Sequence, residues 1–164
     1  MKIISTSRTA YTLEQDDDRF AGSLLYNDES LNEARLSCEK EYTISKQSLG
    51  SWITSGVTDK MLCAVCNVRV GGTITLIIGN KQHTFKKPFS WKLRFTLLNA
   101  EKEEMLALLP SPNWKIHSYN FALQLNDEFA NETSSFVILQ ALHCAVCSMA
   151  MMNGFIPPIV VCST

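Results

Sequence analysis

No charge of either sign dominates the sequence: 15 Lys and Arg stand against 16 Asp and Glu in 164 residues. A chain balanced in this way has no electrostatic footprint for nonspecific nucleic-acid binding and no acidic tail. Nor is a leader expected at its start. The segment MKIISTSRTAYTLEQDDD has one early lysine but no apolar run of about seven residues before a cleavage site, so a secretory signal is not expected. Catalytic patterns are missing too. His83, His117 and His143 lie on different expected elements, and none belongs to an HExxH or comparable ligand set. Gly71-Gly72 and Gly79 have no phosphate-loop context, and Asp16-Asp17-Asp18 lacks the central glycine and closing glutamate of a calcium loop. Neither an enzyme nor a cofactor is expected.

The most informative absence is at the C-terminal end. From Thr133 onward there is no Lys, Arg, Asp or Glu, and Phe136–Met152 is almost continuously apolar. Thr133, Ser134 and Ser135 offer caps, Asn153-Gly154 tolerates a left-handed stop, and Pro157-Pro158 forbids continuation. These signals predict a helix over about 134–152. Leu139, Leu142, Val146 and Met149 cover one side of it, and Val137, Ala141, Cys144 and Met152 cover much of the rest. Gln140 and His143 share a narrow stripe with Phe136, Cys147 and Met151. His143 reads as a satisfied helix histidine, bonded to Gln140 or to a tyrosine of the surrounding protein.

A helix with no wide polar face is either wrapped in protein or immersed in lipid. Residues 134–156 meet the length criterion for a membrane span. Against a span stand Gln140, His143, Ser148 and Asn153 inside it, the lack of basic residues after it and the scarcity of aromatic anchors. The buried reading is favoured, with a membrane anchor as the alternative.

Before the helix the chain reads as short strands and turns. Strands are expected at Lys2–Ser5, Thr9–Leu13, Phe20–Tyr26, Ala34–Cys38, Glu41–Lys46 and around Trp52-Ile53. Met61–Val70 and Thr73–Ile78 flank Gly71-Gly72, which suits a two-residue hairpin turn. Gly79-Asn80 leads into Gln82–Lys86, and Ser90–Leu98 alternates Trp91, Leu93, Phe95 and Leu97 against polar residues. Glu104–Leu109 reads as a strand rather than a helical turn, limited by Pro110 and Pro112. Trp114–Asn126 is one long strand, or two with a bend near His117-Ser118. About twelve antiparallel strands and one helix apolar all round answer each other's needs. A closed barrel needs its lumen filled, and the helix needs a complete apolar sheath. The expected fold is mainly β: a single domain over 1–164, a closed antiparallel barrel around a central hydrophobic C-terminal helix.

Six cysteines are present, and the tetrapeptide Cys-Ala-Val-Cys occurs at Cys63–Cys66 and again at Cys144–Cys147. The first pair falls in an expected strand, where positions three apart face opposite sides, and not around the tight turn of a zinc knuckle. Reduced, small buried hydrophobes in a cytoplasmic chain are expected, with no metal.

The run WKLRFTLL at Trp91–Leu98, the turn at Asn99-Ala100, Met105–Pro110, Trp114 with YNFALQLN, and the terminal apolar helix together resemble the tubby C-terminal-like superfamily. The nearest branch is that of LURP-one-like proteins and phospholipid scramblases. The resemblance covers mainly Trp91–Gly154 and is architectural over residues 1–90. It implies a twelve-stranded barrel around a central helix, and a basic surface that binds phosphoinositide head groups. The cations at a comparable place are Lys81, Lys86, Lys87, Lys92 and Arg94. The expectation is a non-enzymatic soluble domain, cytoplasmic and peripheral to a membrane, that binds anionic phospholipid head groups through these residues. A protein-interaction domain without lipid binding is the second reading, and a membrane-anchored scramblase-like protein the third.

Overall fold

Alternation of apolar and polar residues with a period of two sets most of the strands, which in the computed structural model fall between Lys2 and Leu125. The structure describes residues 1–87 and 93–152. Twelve strands follow in order: β1 (Lys2–Ser5), β2 (Ala10–Glu14), β3 (Phe20–Tyr26), β4 (Glu33–Ser37), β5 (Glu41–Ser48), β6 (Ser51–Gly56), β7 (Leu62–Val68), β8 (Ile74–Ile78), β9 (Lys81–Lys86), β10 (Phe95–Leu98), β11 (Glu104–Asn113) and β12 (Ser118–Leu125). A 3₁₀ turn, Asp127–Glu132, leads into α1 (Ser135–Met152). Each strand pairs antiparallel with its neighbours in the chain, and β1 closes the barrel on β12 through Lys2↔Ala122 and Ile3↔Phe121. Closure gives each strand a hydrogen-bonded neighbour on both sides, which removes the free edge strands of an open sheet.

Strand number explains the helix. Eight strands enclose an interior that side chains alone can fill, whereas twelve leave a wider one. That space is occupied by α1, a rod of roughly 27 Å by the 1.5 Å rise per residue. Every residue from Val137 to Ala150 is buried. The helix is long and apolar enough to cross a membrane, but 78% of it is buried inside the barrel. Ser134 caps its start, its hydroxyl accepting from the Val137 N–H at 3.4 Å. The strands contribute Leu13, Leu24, Leu36, Ile44, Leu76, Phe85, Phe95, Leu108 and Phe121 to the same core. At Gly22 the wall approaches the helix so closely that a Cβ would lie 2.8 Å from Leu139 Cδ1 and 2.8 Å from the Ser37 carbonyl.

Three local expectations change. Gly71 and Gly72 both take positive φ, but in place of the expected two-residue turn the β7–β8 connection is a three-residue loop. Val68 pairs with Ile74, Arg69 N–H donates to Thr73 O at 2.7 Å, and Gly72 N–H donates back to Arg69 O at 3.0 Å. Pro110 and Pro112 do not end β11 but lie inside it, opposite Phe121 and Tyr119. The described part of β10 reaches only to the Phe95↔Leu108 pair, and among the described residues Pro110 and Pro112 pair with β12 alone, a setting that tolerates proline. Trp114 and Ile116 are not in a strand: residues 114–117 form the β11–β12 turn, with His117 at φ 52°. The bend expected near His117-Ser118 is therefore the start of β12. The Ser90–Lys92 portion of the expected tenth strand lies outside the described residues.

His83 on β9 is buried, and its Nδ1 has no hydrogen-bond partner. Burial first, and then the charge of Lys81, hold its imidazole below the ordinary value of 6.5. The unfolded chain therefore binds this proton more readily than the folded one. Stability contributed by the neutral ring is complete above 6.5 and is lost as pH falls from there toward the folded value. Melting temperatures taken across that interval should drop less steeply in His83→Gln than in the parent. A second expectation concerns packing. Gly22→Val should lower stability by about 1–3 kcal/mol in denaturant titration, because the added methyls meet Leu139 and a backbone oxygen.

Candidate functional site

In an up-and-down barrel successive connections alternate between the two ends, so the chain sorts its loops by parity. Residues 6–9, 27–32, 49–50, 69–73 and 114–117 lie at the end where α1 finishes, here called the upper end. Residues 15–19, 38–40, 57–61, 79–80 and 99–103 lie at the lower end, where α1 starts. The balanced charge of the sequence is divided unequally between them. Only Asp28, Glu29 and Glu33 are at the upper end; every other carboxylate is in a lower connection or at the lower terminus of a strand. Arg8, Lys46, Arg69, Lys86, Lys87 and Lys115 sit at the upper end. The acids there are engaged locally: Glu29 pairs with Arg8 at 3.1 Å, Asp28 accepts from the Ser30 N–H, and Glu33 accepts from Asn27. Among the described residues Lys46, Arg69, Lys86 and Lys87 have no carboxylate partner.

The five cations singled out from the sequence separate in space. Lys86 and Lys87 stand exposed at the upper end, where Lys87 Nζ lies 3.3 Å from Met152 Sδ. Lys81 begins the same strand at the lower end and pairs with Glu132 at 2.7 Å, holding that carboxyl below its usual range. The five residue steps of strand from Lys81 to Lys86 amount to roughly 16 Å. Arg94 is half-buried and makes a two-pronged contact with Glu104 at 2.6 and 3.0 Å. Lys92 lies outside the described residues. Lys46 and Arg69, which complete the upper-end group, carry no motif. Adding up charge over alternate connections would have found them.

Between the β5–β6 and β7–β8 hairpins and the last turn of α1 opens a cleft of about 720 Å³. Its lining includes Leu31, Trp52, Val68, Cys147, Ala150 and Met151, with Lys46 and Arg69 also on it. The narrow helix stripe noted in the sequence leads to it along one wall. Phe136 packs on Tyr42 with ring centroids 4.6 Å apart, Gln140 donates to Thr54 Oγ1 at 2.8 Å, and His143 Nδ1 meets Tyr26 Oη at 2.8 Å. The rings of Trp52 and His143 meet nearly at right angles, with centroids 5.5 Å apart, and Cys147 and Met151 then reach the cleft. His143 is thus partnered by a barrel tyrosine, one of the two partners expected for it. Lys46 Nζ lies 5.6 Å from the Trp52 ring centroid, within cation–π reach. Arg69 Nε donates to Thr75 Oγ1 at 2.9 Å.

The cysteine pairs meet as the strand and helix geometry dictates. Cys66 faces inward and its sulfur lies 3.8 Å from that of Cys144, while Cys63, three residues earlier, is half-exposed. Burial raises the Cys144 and Cys147 thiols well above the ordinary value. The hydrogen bond with Cys144 lowers Cys66 to about 6 against its own burial. Among the described residues no three His, Cys, Asp or Glu side chains are grouped to hold a metal ion. A maleimide applied to the folded protein should modify Cys38 and Cys63 and spare Cys66, Cys144 and Cys147 until denaturant is added, as peptide mapping by mass spectrometry would show. Prompt labelling of Cys66 would mean that the β7–helix seam opens. Compared with known proteins, the chain matches no family model, no curated protein and no solved structure.

Proposed function

We propose that this domain is a non-catalytic binder of anionic membrane surfaces and that it docks through the upper end of the barrel. The observation that carries the reading is a coincidence of two chemistries at one end. Lys46, Arg69, Lys86 and Lys87, which have no carboxylate partner among the described residues, share the upper end with exposed Leu49, Val70, Trp114, Met151 and Met152. Leu49 and Val70 stand at hairpin tips, 96% and 106% exposed, where folding alone has no use for them. Apolar tips among cations suit a bilayer interface, where the tips enter the acyl boundary and the cations meet head groups. The lower end also exposes Phe20, Met61 and Leu62, but these sit among carboxylates that an anionic surface repels. The resemblance to the tubby C-terminal-like superfamily supports phosphoinositides as the head group. Lys86 and Lys87 are the members of the expected cluster that remain at this end, and Lys92 is close to them in sequence. Because α1 is enclosed by the barrel, the reading is of a cytoplasmic, peripheral protein rather than an anchored one.

Sedimentation with vesicles tests it. Protein should pellet with phosphatidylcholine vesicles containing phosphoinositide, not with phosphatidylcholine alone, and salt should release it. Near a membrane each cation contributes about 1 kcal/mol, so Lys46→Glu with Arg69→Glu should weaken retention by about thirty-fold or more. Lys81→Glu, at the lower end, should leave retention unchanged. Equal retention on both vesicle types, or none on either, would favour an acidic protein partner on the same surface.

A further inference from the structure

Cations and apolar tips account for docking on a bilayer, but they do not use the cleft behind them. We infer that this cleft takes one long-chain fatty acid, its chain against Trp52, Val68 and Ala150 and its carboxylate between Lys46 and Arg69. The inference rests on the reading of the upper end as the anionic-lipid face and names a ligand for it. Three observations carry it. The volume of about 720 Å³ falls within the range of about 300–1,000 Å³ typical of small-molecule sites. Its lining is mostly apolar. Trp52 Nε1 is committed to the Leu31 carbonyl at 2.7 Å, so the indole presents its ring, and Cys147 is a buried, protonated thiol. The buried polar atoms left unpartnered among the described residues, His83 Nδ1 and Gln140 Oε1, belong to residues that do not line the cleft. A polar ligand pushed to this depth would lose its water without replacement, whereas an alkyl chain gains by burial.

The third observation is where the charges stand. Lys46 is on β5 and Arg69 just past β7, on the two hairpins that flank the cleft. Arg69 is anchored through Nε to Thr75, which orients the guanidinium and leaves its remaining N–H donors for a ligand. Lys46 is seated over Trp52, which also forms part of the chain site. A carboxylate there would form charge-assisted hydrogen bonds to both side chains while its chain runs inward.

The test uses the full chain and a pyrene-labelled fatty acid below its micelle concentration, with no vesicles present. Uptake should saturate at one equivalent. Unlabelled oleate should displace the probe about tenfold better than oleyl alcohol, which has the same chain without the charge. Ala150→Trp, which fills the floor, should abolish uptake. Should that variant fail to fold by circular dichroism, Lys46→Met with Arg69→Met decides: both are surface changes, and acid and alcohol should then compete equally. The inference is overturned if the full chain takes up no probe, whether the cleft stays empty or the apolar residues after Met152 occupy it. It is equally overturned if acid and alcohol compete alike on the parent, if folded Ala150→Trp binds normally, or if the rim variant still prefers the acid. Retention on anionic vesicles without uptake removes the fatty-acid site and leaves the docking reading intact. Uptake without retention keeps the site and removes the docking reading.

Discussion

The whole structure depends on the mutual enclosure of one helix and one barrel. A strand ring of this size cannot close on its own side chains, and a helix without a polar face cannot meet water; each is unstable without the other. The composition of α1 follows from that constraint. Large residues such as Ile138, Leu139 and Leu142 alternate with Ala141, Cys144, Ala145 and Ser148, and the small ones let the wall come close. Where the wall itself must yield, it does so at Gly22, opposite Leu139. The polar groups that enter the lumen are few. Gln140 and His143 find Thr54 and Tyr26, and a hydrogen bond in that dry setting fixes how the helix is rotated about its axis.

That rotation has a consequence at the far end of the barrel. With Gln140 held to β6 and His143 to β3, Cys147 and Met151 are carried by the helical repeat to the gap between two hairpins. The cleft is thus placed by contacts made two and three turns below it. The charge distribution follows the same axis. Backbone dipoles leave α1 with partial positive charge at its start and partial negative charge at its finish. Carboxylates gather around the start and unpaired cations around the finish, so the rims complement the helix they enclose. A basic upper rim therefore has a structural reason as well as the functional one proposed for it.

Strands and helix were legible in the sequence because each is a local pattern. Period-two alternation gave eight of the twelve strands, β1–β5 and β7–β9, to within two residues, and the charge-free run from Thr133 gave the helix. The misses were local compensations that pattern does not encode. Pro110 and Pro112 look like terminators until one knows that among the described residues they pair with β12 alone. The candidate site was far less legible, because closeness in sequence misleads in a meander. Lys81 and Lys86 are neighbours in the chain but stand at opposite ends, whereas Lys46 and Arg69 are brought to one cleft from separate hairpins.

An up-and-down barrel is nonetheless a favourable case, since its connectivity turns sequence order into spatial order. Each connection exchanges one end for the other, so the parity of a loop, once the strands are known, assigns its residues to a rim. Applied here, parity separates a chain of net charge −1 into an acidic end and a basic one without any coordinates. It also isolates the anomaly that matters. Leu49 and Val70 occupy loop tips, where turn chemistry calls for polar or glycine residues, and both fall on the basic end. An apolar residue at one tip is unremarkable, because single exposed hydrophobes are common. Two on adjacent hairpins, beside cations that have no carboxylate partner among the described residues and over an apolar cleft, are not explained by the helix dipole that accounts for the charge of the rim, and they make up the surface proposed to meet lipid.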